Sequence, residues 1–291
     1  MEKTKIILDT DIGDDIDDAL ALSLILASPE LELLGVTTVF GNVDLRAKLA
    51  CYLLSAFKRE EIPVFTGADL PLIEPRKIGL DFHQARIFPD SYQPEYRDGA
   101  VGFICEKARE LPGQIELVAV GPLTNVALAL RSDPSLKKNL KGITLMGGQI
   151  KKPGAEWNII CDPEAAQIVF TSGVPIKMVG LDVTDPCKLT EEELKILKEN
   201  KLMGKLVELW QAGRGWLPIP HDPLAVAAVF NDKLITWEQM KILVELQGSY
   251  MRGQTTVHSD GTVQVATEVR RNDFIELFLQ RLATLPNDWE N

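Results

Sequence analysis

The sequence predicts an α/β protein: a mostly parallel central sheet with flanking helices, and a small antiparallel element near the C-terminus. Three observations predict it. Apolar runs of strand length alternate with helix-like stretches through most of the 291 residues. Several of those runs are nearly continuous rather than alternating, as strands covered on both faces must be. The last third changes texture: residues 257–269 alternate in period two around Asp260-Gly261, a pair that favours a tight turn between antiparallel strands.

Taken in order, the strands are expected at 5–9, 33–40, 63–66, 115–120, 143–146 and 176–181, with helices at 17–27, 44–58, 101–110, 125–130 and 163–171 between them. Asp162-Pro163 is a helix-start signal for the last of these. Beyond them, 190–211 reads as one or two helices and 213–220 as a loop rich in Gly, Trp and Pro. A helix at 221–230, the alternating stretch at 257–269 and an amphipathic helix at 273–285 complete the chain. Strand–helix alternation of this length winds helices onto both faces of a sheet. Ligands then bind beyond the carboxyl ends of the strands, so the residues just after each strand carry the functional reading.

Composition narrows the partners. Hydrophobic residues make up 45% and charged residues 25%, an ordinary soluble balance with ample material for a large core. Lys and Arg number 31 against 42 Asp and Glu, and the net charge of −11 would be repelled by nucleic acid or an anionic membrane. No run approaches the ~20 apolar residues of a membrane span. The N-terminal MEKTKIILDTD carries no secretory pattern and runs straight into a strand, which predicts the cytoplasm. Cys51, Cys105, Cys161 and Cys187 are far apart and read as reduced, buried thiols.

The most informative segment follows the first strand. Asp9, Asp11, Asp14, Asp15, Asp17 and Asp18 fall within ten residues, with no basic residue among them. Helix capping and the helix dipole account for one or two acids there, not six. Like charges this close oppose folding unless something positive sits among them. An all-oxygen set suits a hard cation, Ca²⁺ or Mg²⁺, rather than zinc, and the spacing is not that of an EF-hand. His221-Asp222 places an imidazole beside a carboxylate at a helix start, with Trp216 nearby. Glu156-Trp157-Asn158 combines groups suited to hydroxyl recognition, although alone it reads as a polar loop.

Together these residues resemble the nucleoside hydrolase family, of the inosine–uridine-preferring type. Asp9-Thr10-Asp11-x-Gly13 with Asp17-Asp18-Ala19-Leu20 resembles its acidic signature. Thr37-Thr38-Val39-Phe40-Gly41-Asn42, Val120-Gly121-Pro122-Leu123-Thr124-Asn125 and Leu145-Met146-Gly147-Gly148 follow in the family order. So do Glu156-Trp157-Asn158, Asp162-Pro163-Glu164-Ala165-Ala166, Val179-Gly180-Leu181-Asp182-Val183-Thr184, His221-Asp222 and Arg252-Gly253-Gln254-Thr255.

The resemblance implies one domain over residues 1–291 with the Rossmann-like nucleoside hydrolase fold. It implies Ca²⁺-dependent hydrolysis of the N-glycosidic bond of a small-molecule ribonucleoside, giving ribose and free base, by a homodimer or homotetramer. Asp11, Asp18, Asp222 and the Val120 carbonyl would hold Ca²⁺. Asp17, Asn42, Glu156 and Asn158 would hold the ribose, and Met146 and Trp157 would line the sugar or base pocket. Asp11 would take a proton from water, the transition state would be oxocarbenium-like, and His221 would stand beside the leaving base.

The chain departs from the family pattern in three places. The acidic signature is two residues longer than its commonest version, so Asp14 and Asp15 receive no direct role, and either could join the metal's outer shell; the pair before Ala19 is matched because Ala19-Leu20-Ala21-Leu22 continues the pattern. The turn at 97–102 lacks the family's His-Gly, and His83 lies upstream, outside the expected site. The short loop at 149–155 lacks the Asn that many members use for the ribose 5′ end. Two other readings stand beside this one. Asp9-x-Asp11 after a strand also resembles the Mg²⁺-dependent haloacid-dehalogenase-type phosphatases, and the altered base side would suit a ribosyl-ligand binding protein without turnover.

Overall fold

The computed structural model describes residues 3–73 and 82–289, and the backbone alone of Ser259 and Asp260. In chain order the first half runs β1 (Thr4–Thr10), α1 (Asp17–Leu26), β2 (Leu31–Thr38), α2 (Val43–Ala56), β3 (Val64–Thr66), β4 (Arg97–Asp98), α3 (Ala100–Glu110), β5 (Ile115–Ala119), α4 (Thr124–Ser132), α5 (Leu136–Asn139) and β6 (Leu140–Met146). The second half runs α6 (Trp157–Cys161), α7 (Pro163–Phe170), β7 (Ile176–Val179), α8 (Leu181–Thr184), α9 (Glu191–Leu197), α10 (Lys201–Gln211), α11 (His221–Phe230), β8 (Ile235–Val244), β9 (Thr255–Val269) and α12 (Arg271–Leu282).

Among the described residues the strands form one nine-stranded sheet in the order β4-β3-β2-β1-β5-β6-β7-β9-β8. Every neighbouring pair is parallel except β8 with β9. From β1 the chain first winds outward through β2, β3 and β4, then returns to β5 and winds the other way. That reversal puts a topological switch point between β1 and β5, where loops leave the sheet in opposite directions and open a crevice.

Two apolar layers cover the sheet. One holds Leu8, Leu20, Leu24, Leu53, Val226 and Phe278, where α1, α2, α11 and α12 pack; the other holds Ile7, Phe103, Leu117, Val126 and Val169, where α3, α4 and α7 pack. Helices α1 and α11 are apolar on nearly every side, as suits helices packed between the sheet and further helices. Each nevertheless opens with carboxylates in its first turn, Asp17 and Asp18 on α1 and Asp222 on α11.

Most expected elements form within a residue or two of their expected limits, and 190–211 resolves into α9 and α10. Two differences are informative. Residues 257–269 are not a hairpin: they belong to the single strand β9, whose antiparallel partner is β8. The register passes from Met240 opposite Val263 to Lys241 opposite His258, so residues 259–262 bulge out of the ladder. A Cβ on Gly261 would lie 2.0 Å from the Lys241 nitrogen, so this glycine serves a close backbone approach rather than a turn. The second difference is β4, a two-residue strand where a Gly-rich turn was expected. It feeds α3 through Gly99, whose φ of 101° suits glycine.

Candidate active site

The first strand delivers two acids to different places. Asp9 lies inside the sheet: its Oδ1 accepts the Thr37 hydroxyl at 2.6 Å and the Asn125 amide at 2.8 Å, tying β1 to β2 and α4. Burial pushes its carboxyl up to about 7, against those two hydrogen bonds. In the phosphatase reading the first Asp of Asp9-x-Asp11 is the phosphoryl nucleophile and must stand in an open site, so the full burial of Asp9 removes that reading. Asp11, one residue past the strand, lines a cavity of about 330 Å³ at the carboxyl edge of the sheet.

The remaining acids meet Asp11 there. Asp17 and Asp18 enter from the first turn of α1 and Asp222 from the first turn of α11, and all three are buried. Ligand oxygens of these three carboxylates lie within 4.8 Å of one another. Thr10 fixes one of them by donating its hydroxyl to Asp18 Oδ1. Burial first, then mutual repulsion, holds the carboxyls of Asp17, Asp18 and Asp222 well above the usual range. Asp11 is pushed up to about 7, chiefly by burial and against the pull of Arg46. Buried oxygens that repel one another at this range fit a single hard cation, which would supply the missing charge.

The opposite wall comes from β5, β6 and α6. The Val120 carbonyl accepts the Asn158 amide at 2.8 Å; the same amide nitrogen lies 3.2 Å from the Met146 carbonyl. Glu156 caps α6, accepting the backbone N–H groups of Gly148, Asn158 and Ile159 at 3.0, 2.8 and 3.1 Å. Val120, Met146, Glu156, Trp157 and Asn158 all line the cavity. On the far side stands His221, its Nδ1 2.7 Å from the Thr184 hydroxyl. Burial lowers the imidazole to about 4, which keeps the ring neutral at physiological pH.

The sequence-expected residues therefore meet in one place, with one exception. Asn42 does not line the cavity: it is exposed, and its side-chain oxygen caps α2 by accepting the Leu45 N–H at 3.0 Å. His83 stays outside the lining as expected and stands against Gly213. Four lining residues had no direct role in the sequence reading: Asp14, Asp15, Leu181 and Arg214.

Just behind the lining is Arg46, a positive group beside Asp14 and Asp11. It is fully buried, and its Nη2 lies 3.0 Å from Asp14 and 3.9 Å from Asp11. Its signal in the sequence is faint, a single arginine on the buried side of an otherwise ordinary helix. Arg214 lies in the 213–220 loop, which composition singled out without assigning it a residue.

Known proteins similar to this chain fall in one family. A family model described as inosine-uridine preferring nucleoside hydrolase matches residues 6–276. The pyrimidine-specific ribonucleoside hydrolase RihA of Salmonella arizonae is 34% identical over 306 aligned positions, covering 95% of this chain and 97% of that protein. Uridine nucleosidase 1 of Arabidopsis thaliana is 35% identical, covering 84% and 79%. Among solved structures, the plant nucleoside hydrolase PpNRh1 superposes with a TM-score of 0.86 at 29% identity, covering 97% of this chain and 99% of that one. A purine-preferring ribonucleoside hydrolase from Gardnerella vaginalis gives 0.85 at 30% identity, covering 96% and 98%.

Proposed function

The chain belongs to the inosine-uridine preferring nucleoside hydrolase family, and from that premise we propose that it is a Ca²⁺-dependent enzyme cleaving the N-glycosidic bond of ribonucleosides to ribose and free base. One observation carries the reading. Asp17, Asp18 and Asp222 converge with Asp11 in a buried cavity at the switch point of the sheet.

Asp11, Asp18, Asp222 and the Val120 carbonyl are the groups that would hold the cation. Asp17 stands in the same triad and is left by the motif match to the ribose hydroxyls, with Glu156 and Asn158 across the cavity. When bound, calcium would neutralise the cluster, orient the ribose diol and make a water easier to deprotonate. Asp11 is the base that accepts that proton. Its carboxyl lies near 7 in the metal-free site, and a neighbouring cation would draw it down while leaving it able to accept. As the glycosidic bond breaks, positive charge develops on the sugar, and the carboxylate-rich wall stabilises it without having to reorganise. Trp157 and Met146 present apolar surface on the other side.

His221 faces the departing base. Nδ1 lies 2.7 Å from the Thr184 hydroxyl, and in the tautomer in which that hydroxyl donates, the single proton of the neutral ring is on Nε2, where it can be shared with the base. A ring held neutral is a modest acid. The contribution of His221 is therefore a directed hydrogen bond that strengthens as the base takes on negative charge, and it varies with the base.

The test is reducing-sugar release from a panel of purine and pyrimidine ribonucleosides, using metal-stripped protein with and without added Ca²⁺. Release restored by Ca²⁺ is expected. No release from folded, calcium-loaded protein on any member of the panel, with nucleoside still bound in calorimetry, would turn the reading into a binding role.

A further inference from the structure

We propose that Asp14 is a positioning residue for Asp11, acting by holding the buried guanidinium of Arg46 off it. The proposal rests on the hydrolase reading above. Arg46 is on α2 and fully buried. Its Nε donates to the Phe40 carbonyl at 2.7 Å and its Nη1 to the Ile12 carbonyl at 3.0 Å. The guanidinium stands over the Phe82 ring, 5.0 Å from its centroid. Two nitrogens are thus fixed by the loops that follow β1 and β2. The third, Nη2, faces two carboxylates: it donates to Asp14 Oδ2 at 3.0 Å and stops 3.9 Å short of Asp11 Oδ2.

That difference separates a hydrogen bond from a mere proximity. An arginine keeps its charge when buried and cannot leave Nη2 without an acceptor at small cost. Without Asp14, the nearest carboxylate for Nη2 among the described residues is Asp11. A direct Arg46–Asp11 pair would turn Asp11 Oδ2 toward α2, away from the cavity where the cation and water are to be met. Phe40 adds rigidity to the clamp. Its φ of 68° is a left-handed conformation that a non-glycine residue keeps only when surroundings hold it, and Arg46 bonds its carbonyl. Asp14 thereby gains a role in the part of the acidic segment that the motif match leaves unassigned.

The experiment compares wild type, Asp14→Ala, Asp14→Asn and the double variant Asp14→Ala/Arg46→Met in the full chain. It measures kcat and KM on a ribonucleoside that the wild type turns over, Ca²⁺ affinity by calorimetry, and thermal melting. Asp14→Ala is expected to lower kcat about 10- to 100-fold, as loss of a group orienting a ligand does, with a much smaller change in KM and weaker Ca²⁺ binding. Asp14→Asn keeps an oxygen for Nη2 and loses less. Removing the guanidinium in the double variant recovers about twofold or more of kcat over Asp14→Ala, the low end of coupling within one ion-pair network.

The proposal is overturned by Asp14→Ala keeping wild-type kcat and Ca²⁺ affinity, with or without a lowered melting temperature. Equal losses for the Ala and Asn variants would also overturn it. So would a folded double variant no better than Asp14→Ala. A wild type that binds Ca²⁺ but releases no sugar fails the hydrolase reading instead, and Ca²⁺ calorimetry on the variants then still decides the positioning role.

Discussion

At the residue scale the two groups given chemical work differ in kind. In the proposed reaction Asp11 accepts a proton, so Asp11→Asn, which keeps its size but exchanges one acceptor oxygen for an NH2 donor, is expected to lower kcat by about 10²- to 10⁴-fold, the range for loss of a general base. The folded protein should be recovered in normal yield, because the variant also relieves repulsion in the cluster. His221 is held neutral by its burial and oriented by Thr184. His221→Ala should therefore cost most on nucleosides whose base is the poorer leaving group and least on activated substrates such as a nitrophenyl riboside. Measuring kcat/KM across such a series checks it, and an equal loss on every substrate contradicts a leaving-group role. Asn42 shows how a residue can match a motif yet stand elsewhere. An Asn beside Gly41 at a helix start fits a binding motif and a capping motif equally well in sequence, and in the structure its oxygen is on the Leu45 N–H.

At the element scale, the loops after β1 and β5 pack so closely that one glycine decides their spacing. A Cβ on Gly121 would lie 2.8 Å from Asp11 Oδ1, 2.9 Å from the Asp11 nitrogen and 2.9 Å from Val39. Gly121→Ala must therefore push Asp11 or separate β1 from β5, and overpacking of this kind costs about 1–3 kcal/mol. We expect a lowered melting temperature together with reduced kcat. Gly102→Ala in α3, where a new Cβ meets nothing within 4 Å, is the control and should be neutral or stabilising. Wild-type melting and kcat for Gly121→Ala would refute the spacing argument.

The same scale shows what was legible in the sequence. Strands covered on both faces, such as Ile143–Met146 or Ile115–Ala119 with its one Glu116, announce themselves as nearly continuous apolar runs. The strand β8 does not: Glu238, Gln239 and Lys241 interrupt it, since it is the edge of the sheet and one face meets water. Its partner carries an Asp-Gly step that looks like a turn and is a bulge. Arg46 was hidden for a related reason. Local sequence shows a basic residue on a helix but not that the chain brings Ile12, Asp14 and Phe40 around it from two other loops. The acidic segment was legible because six like charges within ten residues demand an explanation wherever they fold.

At the scale of the whole molecule, the fold gathers uncompensated charge at its centre, and the consequence appears in stability. Asp9 and Asp11 are raised to about 7 and Asp17, Asp18 and Asp222 well above their ordinary value, all chiefly by burial. In the unfolded chain these carboxyls titrate near 3.9. Between about pH 4 and 7 the metal-free folded state thus holds more protons than the unfolded state, and stability falls as pH rises through that window. Carboxyls lowered by partners, such as Glu193 beside Arg271 and Asp288 beside Lys58, act with the opposite sign only as pH falls below about 4. The buried imidazole of His221, held at about 4, opposes the trend by one proton between about pH 4 and 6.5 and is outweighed by the five carboxyls. A cation binds the ionised cluster and competes with its protons, so its stabilising effect should grow as pH rises. Metal-stripped protein is therefore expected to melt at a lower temperature at about pH 7.5 than at about pH 5.5, and the gain on adding Ca²⁺ should be larger at the higher pH. Thermal melts at the two pH values, with and without Ca²⁺, check both signs, and calorimetry in buffers of different ionisation enthalpy should show protons released on Ca²⁺ binding. A metal-stripped protein equally stable at both pH values, or a calcium gain that does not grow with pH, would mean that the cluster is neutralised by some group other than a bound cation.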